Sequence, residues 1–121
     1  MKLLIVDDSA IVRRAIEKYL RSYGMELVGT ASDGEAALEL FKRCSPDFVT
    51  MDITMPRIDG LACIAKMVEL RPEVRILVVS ALSDPETGIA ALGRGAKGFL
   101  KKPFREEGLR EEVEHILGIA P

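Results

Sequence analysis

Five short apolar runs punctuate the chain, each ending at a polar or turn-forming residue: LLIV (3–6), MELVGTA (25–31), FVTM (48–51), RILVV (75–79) and GFL (98–100). Runs of this length, rich in aliphatic residues and bounded by turn formers, predict strands. Between them the spacing becomes helical. Ile11, Val12, Ala15, Ile16, Tyr19 and Leu20 fall at i, i+4 and i+8 on one face, and Gly24 offers a C-cap for this first helix. SDGEAALELFKRC opens a second helix after the Asp33-Gly34 turn, and Pro46 marks its end. Leu61, Ile64, Ala65 and Val68 supply a third stripe, stopped before Pro72. The fourth helix, within DPETGIAALGRG, is predicted to be weak, because Gly88 and Gly93 each cost about 1 kcal/mol relative to Ala. The fifth carries Leu109, Val113, Ile116 and Leu117 inward, with Glu111, Glu112 and Glu114 on its solvent side.

Alternation of strand and helix predicts a parallel sheet covered on both faces, because parallel strands need crossover connections and those are helices. The second run carries a polar residue among its apolar ones, which places it at an edge of the sheet. The chain has no internal repeat, low-complexity segment or linker, and only GIAP follows the last helix. A single domain spanning residues 1–121 is expected, long enough to bury a core without disulfides or a structural metal.

Composition narrows the function. The chain is 48% hydrophobic and 5% aromatic, with a net charge of -2 made of closely mixed signs. That balance gives no nucleic-acid footprint and no membrane-directed basic patch. MKLLIVDD has four apolar residues before two acids, too few for a signal peptide, and no later run approaches a membrane span. A cytoplasmic protein without membrane insertion is expected. Cys44 and Cys63 belong to no zinc-like spacing and read as reduced packing residues.

In an open parallel sheet, binding crevices form outside the carboxyl ends of the strands. Asp7 and Asp8 follow the first run, Asp52 the third, Ser80 the fourth, and Lys101, Lys102 and Pro103 the fifth. Each alone has an ordinary structural use: Asp7, Asp8 and Ser9 as an N-cap, Asp52 as a strand terminator, Asp59-Gly60 as a turn, Ser80 as a loop cap and Lys102 as a solvated charge. Together they place three carboxylates, a hydroxyl and an ammonium on one sheet edge. Converging carboxylates repel, and a divalent cation relieves this; Mg2+, which takes one or two carboxylates, several waters and a phosphate oxygen, suits a small open acidic cluster. An Asp carboxylate is also a competent nucleophile toward phosphoryl groups, giving an acyl phosphate. The cation and Lys102 would stabilise the charge during transfer.

LIVDDS, MDITMPRIDG, VVSA and GFLKKPF, in this order and spacing, resemble the receiver domain of two-component response regulators, and within it the single-domain chemotaxis type. The resemblance covers essentially the whole chain. It implies a flavodoxin-like (βα)5 three-layer sandwich, with a parallel five-stranded sheet of order 2-1-3-4-5. Asp52 then corresponds to the phospho-acceptor, which takes phosphate from a histidine kinase. Asp7 and Asp8 correspond to the acidic pair holding Mg2+ with Asp52, Asp8 as a direct ligand and the backbone carbonyl of Thr54 as another. Ser80 matches the hydroxyl that swings toward the phosphoryl group, and Lys102, before a cis Pro103, matches the family's lysine; Lys101 is its exposed neighbour. Phe99 falls at the aromatic switch position, where many chemotaxis regulators have Tyr. It keeps the packing half of the switch without a hydroxyl.

The resemblance implies a signalling switch rather than an enzyme, with at most slow self-phosphorylation from small donors and slow self-dephosphorylation. Phosphorylation would alter the face made by helix four, strand five and helix five, and so the binding of an output protein such as a flagellar motor switch component. A phosphatase is a further implied partner. Receivers of multidomain regulators and phosphorelay intermediates share these motifs. Two other classes fit less well. Phosphatases of the haloacid dehalogenase type have a second aspartate two residues after the nucleophile, where this chain has Thr54. Flavodoxin-like flavin binders have a hydroxyl-rich phosphate cradle in the first loop, where Asp7 and Asp8 would repel a flavin phosphate. MPRIDG reads as the turn into helix three, and His115, without a partner at ligand spacing, reads as a surface residue.

Overall fold

The computed structural model describes residues 1–55, 59–82 and 84–119. Its elements are β1 (Lys2–Val6), α1 (Ala10–Leu20), β2 (Glu26–Ala31), α2 (Gly34–Cys44), β3 (Phe48–Met51), α3 (Gly60–Leu70), β4 (Arg75–Ser80), α4 (Pro85–Gly93), β5 (Gly98–Lys101) and α5 (Glu106–Leu117). Helix starts follow from short polar side chains: Ser9, Asp33, Asp59 and Asp84 each accept a hydrogen bond from the backbone N–H three residues on. Asp59 is thus the cap of α3. The turn expected over MPRIDG falls in part on residues 56–58, outside the described residues.

All strand pairs are parallel, in the order β2-β1-β3-β4-β5. β2 lies at an edge, as its mixed polarity predicts. Side chains alternate across the sheet with period two. Leu4, Val6, Val49, Met51, Ile76 and Val78 pack with Phe41, Ile64 and Met67 of α2 and α3. Leu3, Ile5, Phe48, Leu77 and Val79 pack with Ile16, Leu20, Leu109 and Val113 of α1 and α5. Both faces are therefore dry, which gives the expected three-layer sandwich. Each fully buried aliphatic side chain contributes about 1.5–3 kcal/mol, so the sheet is the rigid part on which a site can be mounted. Among the described residues, no helix is long and apolar enough to cross a membrane.

Several local expectations are corrected. Ile11 is 79% exposed, while Ile16 and Leu20 hold the core face. At about 100° per residue, Ile11 lies a quarter turn or more from Val12, and a stripe of adjacent pairs is wider than the sheet can cover. In α3 the buried side is Cys63, Ile64 and Met67, with Leu61, Ala65 and Val68 half-buried. The helix is apolar nearly all round, so spacing alone did not fix its rotation. Gly24 (φ 70°) closes a 3-10 turn, Arg21–Tyr23, that follows α1 rather than α1 itself. Ser45 takes the left-handed cap (φ 47°) that ends α2 ahead of Pro46. Glu114 is half-buried and accepts a 2.9 Å hydrogen bond from the Tyr23 hydroxyl, instead of facing solvent. Cys63 is buried, and its burial, with Asp59 nearby, pushes the thiol up to about 11; Cys44 is half-buried and also free.

Candidate functional site

Three strands end in one and the same local device. Asp7 Oδ1 accepts from the Ser9 N–H at 2.9 Å after β1, Asp52 Oδ1 from the Thr54 N–H at 2.8 Å after β3, and Ser80 Oγ from the Leu82 N–H at 3.1 Å at the end of β4. Such a side chain, bonding the backbone two residues on, mimics a turn and takes the chain out of the sheet. The sheet ladder meanwhile continues past the strands: Asp7 N–H donates to Ala31 O and Asp52 N–H to Val6 O, both at 2.9 Å, and Lys102 N–H donates to Ser80 O at 2.8 Å. Sheet backbone, rather than mobile loop, positions these groups. The peptide bond between Lys102 and Pro103 is cis, as the resemblance implied.

The predicted residues converge. Carboxylate oxygens of Asp7, Asp8 and Asp52 lie within 4.8 Å of one another. Asp7 and Asp52 are 1% and 3% exposed, whereas Asp8 opens to solvent. Lys102 Nζ stands 2.8 Å from Asp7 Oδ2 and 3.0 Å from Asp52 Oδ2. Burial pulls the Lys102 ammonium down, but hydrogen bonding and attraction from Asp7 and Asp52 outweigh it and hold its pKa above the ordinary lysine value. Lys101 is exposed and forms no salt bridge among the described residues. Ser80 is fully buried, and Phe99 on β5 is half-buried against the α2–α3–α4 side of the core. A Cβ built on Gly88 of α4 would meet the Phe99 ring at 3.7 Å, so ring and helix are in near contact.

Two contributions were not read from the sequence. Thr54 was assigned only a carbonyl, yet its N–H and its hydroxyl both donate to Asp52 Oδ1. The signal was present, since a hydroxyl residue two places after an Asp is suited to this turn. Arg13 Nη1 donates to Asp7 O at 2.7 Å, tying α1 to the site; nothing in its spacing marked it.

Whether this set fits a divalent cation can be judged from its charges and its donor atoms. Three carboxylates against one ammonium leave two negative charges in excess. Asp7 Oδ2 is buried, and among the described residues the Lys102 ammonium at 2.8 Å is what stands against it. Hard oxygen donors that carry more negative charge than one lysine cancels, with a solvent-open side, match Mg2+.

A parallel sheet of this order, carrying an acidic pocket at the carboxyl ends of its central strands, defines a flavodoxin-like protein whose site is built of carboxylates rather than of donors to a nucleotide phosphate. Residues 3–114 match the response regulator receiver domain, and the chain belongs to that family. It is 39% identical over 116 residues to the chemotaxis protein CheY of Bacillus subtilis, covering 96% of this chain and 97% of that protein. CheY is itself a standard instance of the strand order found here. A match at 40% identity, over 93% of this chain, falls on 34% of a protein-glutamate methylesterase/protein-glutamine glutaminase of Xanthomonas oryzae. Among solved structures, a chain of the CheX-CheY-BeF3-Mg2+ complex of Borrelia burgdorferi aligns with a TM-score of 0.90 at 33% identity, over 97% of this chain and 89% of that one.

Proposed function

We propose that this receiver is a phosphorylation-activated switch, with Asp52 accepting a phosphoryl group from a histidine kinase. The observation that carries the reading is the lysine held at 3.0 Å from Asp52 Oδ2 inside an acidic cluster. The Thr54 N–H and hydroxyl occupy Oδ1 and so orient the carboxylate, leaving Oδ2 toward Lys102. Asp52 attacks phosphorus, the phosphohistidine P–N bond breaks, and the imidazole leaves. Asp7, Asp8, Asp52 and the Thr54 carbonyl would hold Mg2+, which when bound neutralises charge on the phosphoryl oxygens. Lys102 adds a fixed positive charge beside them.

Output follows from Ser80 and Phe99. The Ser80 hydroxyl accepts from the Leu82 N–H, leaving its own proton to donate to a phosphoryl oxygen. Its movement draws the β4–α4 loop toward Asp52 and opens room for Phe99 to turn inward, reshaping the face of α4, β5 and α5. Taking a two-state switch from mostly off to mostly on needs about 5.5 kcal/mol, and two or three charge-assisted hydrogen bonds at about 1.5–3 kcal/mol each supply it. Likeness to CheY over nearly its full length favours a cytoplasmic chemotaxis switch acting on a motor component. The match inside a larger methylesterase supports the second reading, a receiver serving a multidomain regulator. Neither reading needs turnover of a substrate.

Labelling with acetyl phosphate and Mg2+ tests the acceptor: Asp52→Asn should abolish it, and undiminished labelling of that variant would sink the assignment. Pull-down with and without beryllium fluoride separates the two outputs, by whether a motor component is captured only in the activated state.

A further inference from the structure

A groove of about 430 Å³ adjoins the acidic pocket, lined by Val12, Ala81, Lys102, Pro103 and Phe104. Its size falls within the roughly 300–1,000 Å³ of small-molecule sites, and like them it has apolar walls with a charged group that fixes orientation. That group is Lys102, whose Nζ is 3.0 Å from Asp52 Oδ2. The walls are chain neighbours of the site: Ala81 follows Ser80, and Pro103 and Phe104 follow Lys102. A donor that brings phosphorus to Asp52 beside Lys102 therefore has this groove next to its departing half.

We propose that the groove is a subsite for the apolar acyl group of small acyl-phosphate donors. The inference rests on Asp52 being the acceptor. In the transfer, an Asp52 oxygen forms a bond to phosphorus and the bond from phosphorus to the acyl carboxylate oxygen breaks. The bonding pair leaves with the carboxylate beside the Lys102 ammonium, and no proton is consumed. An acetyl methyl fills little of the space, whereas an aromatic acyl group covers the apolar walls. Burying roughly two more methylene equivalents corresponds to about a tenfold gain, realised as a lower half-saturating donor concentration.

The test compares Asp52 labelling by benzoyl phosphate, acetyl phosphate and phosphoramidate, the last having no acyl group. The readout is the benzoyl-to-acetyl ratio within each variant, so that effects on the acceptor cancel. We expect a ratio of about ten in the native chain. It should fall toward one both in Val12→Asn, which makes the wall polar, and in Ala81→Leu, which fills the groove from an exposed position. Equal use of the two acyl phosphates by the native chain, or a preference that survives both substitutions, overturns the subsite. Loss of kinase-dependent transfer in the variants, with no acyl preference in the native chain, overturns it in favour of a protein segment as the occupant. Labelling from phosphoramidate that persists in Asp52→Asn instead sinks the acceptor reading beneath it.

Discussion

Lys102 is the counter-charge on which two buried carboxylates depend. Replacing it with Met leaves Asp7 and Asp52 facing each other in a dry site, and breaking a buried pair in this way costs about 3 kcal/mol or more. Its linkage to pH has a definite sign. The folded pKa lies above the unfolded one, so the pair's contribution is fully present below about pH 10.4 and is lost as pH rises through the folded value. Urea midpoints in EDTA should therefore separate the native chain from Lys102→Met clearly at pH 8, by a gap that narrows as the pH is raised above about 10.4. A gap that widens with pH would show the lysine to be desolvated rather than paired. Lys102 was legible as a site residue from its place after the fifth apolar run, but its contact with Asp7 was not. The two residues are far apart in sequence and meet only because β1 and β5 end on the same edge of the sheet.

At the scale of elements, two glycines with opposite roles make the next prediction. In Gly88, four residues into α4, an added Cβ meets only the Phe99 ring, at 3.7 Å. Gly88→Ala should stabilise the chain by up to about 1 kcal/mol through helix propensity, with the ring held more tightly against the helix. At Gly60, the first residue of α3, an added Cβ would lie 2.7 Å from the Ile53 backbone and 2.5 Å from its side chain. Gly60→Ala should cost about 1–3 kcal/mol, as overpacking does. It should also slow labelling of Asp52, because Ile53 is the residue next along. Thermal melts of both variants check the signs, and equal effects would refute the packing argument. Helix existence was readable from caps and spacing. Helix rotation was not: α3 is apolar on several sides, and only the sheet it docks on chose Cys63 and Met67 for the interior.

For the whole molecule, the excess of two negative charges at the sheet edge predicts a metal-dependent stability. A ligand that binds only the native state stabilises it, and at ten times its dissociation constant Mg2+ would add about 1.4 kcal/mol, or roughly 4–6 °C in melting temperature for a chain of this size. Asp8→Ala should lose most of that shift, since Asp8 is the solvent-facing member of the cluster; an equal shift in the variant would remove it from the metal site. The sequence by itself determined the alternation of strands and helices, the edge position of β2, and the residue types that stand at the strand ends. Those follow from local rules: period, capping and turn chemistry act over a few residues. Tertiary structure alone decided that Lys102 spans both Asp7 and Asp52, that Thr54 holds Asp52 with two donors, and that Ile11 is left in solvent. These depend on strand order and on which helix face meets the sheet, and only the packing of the whole chain fixes either.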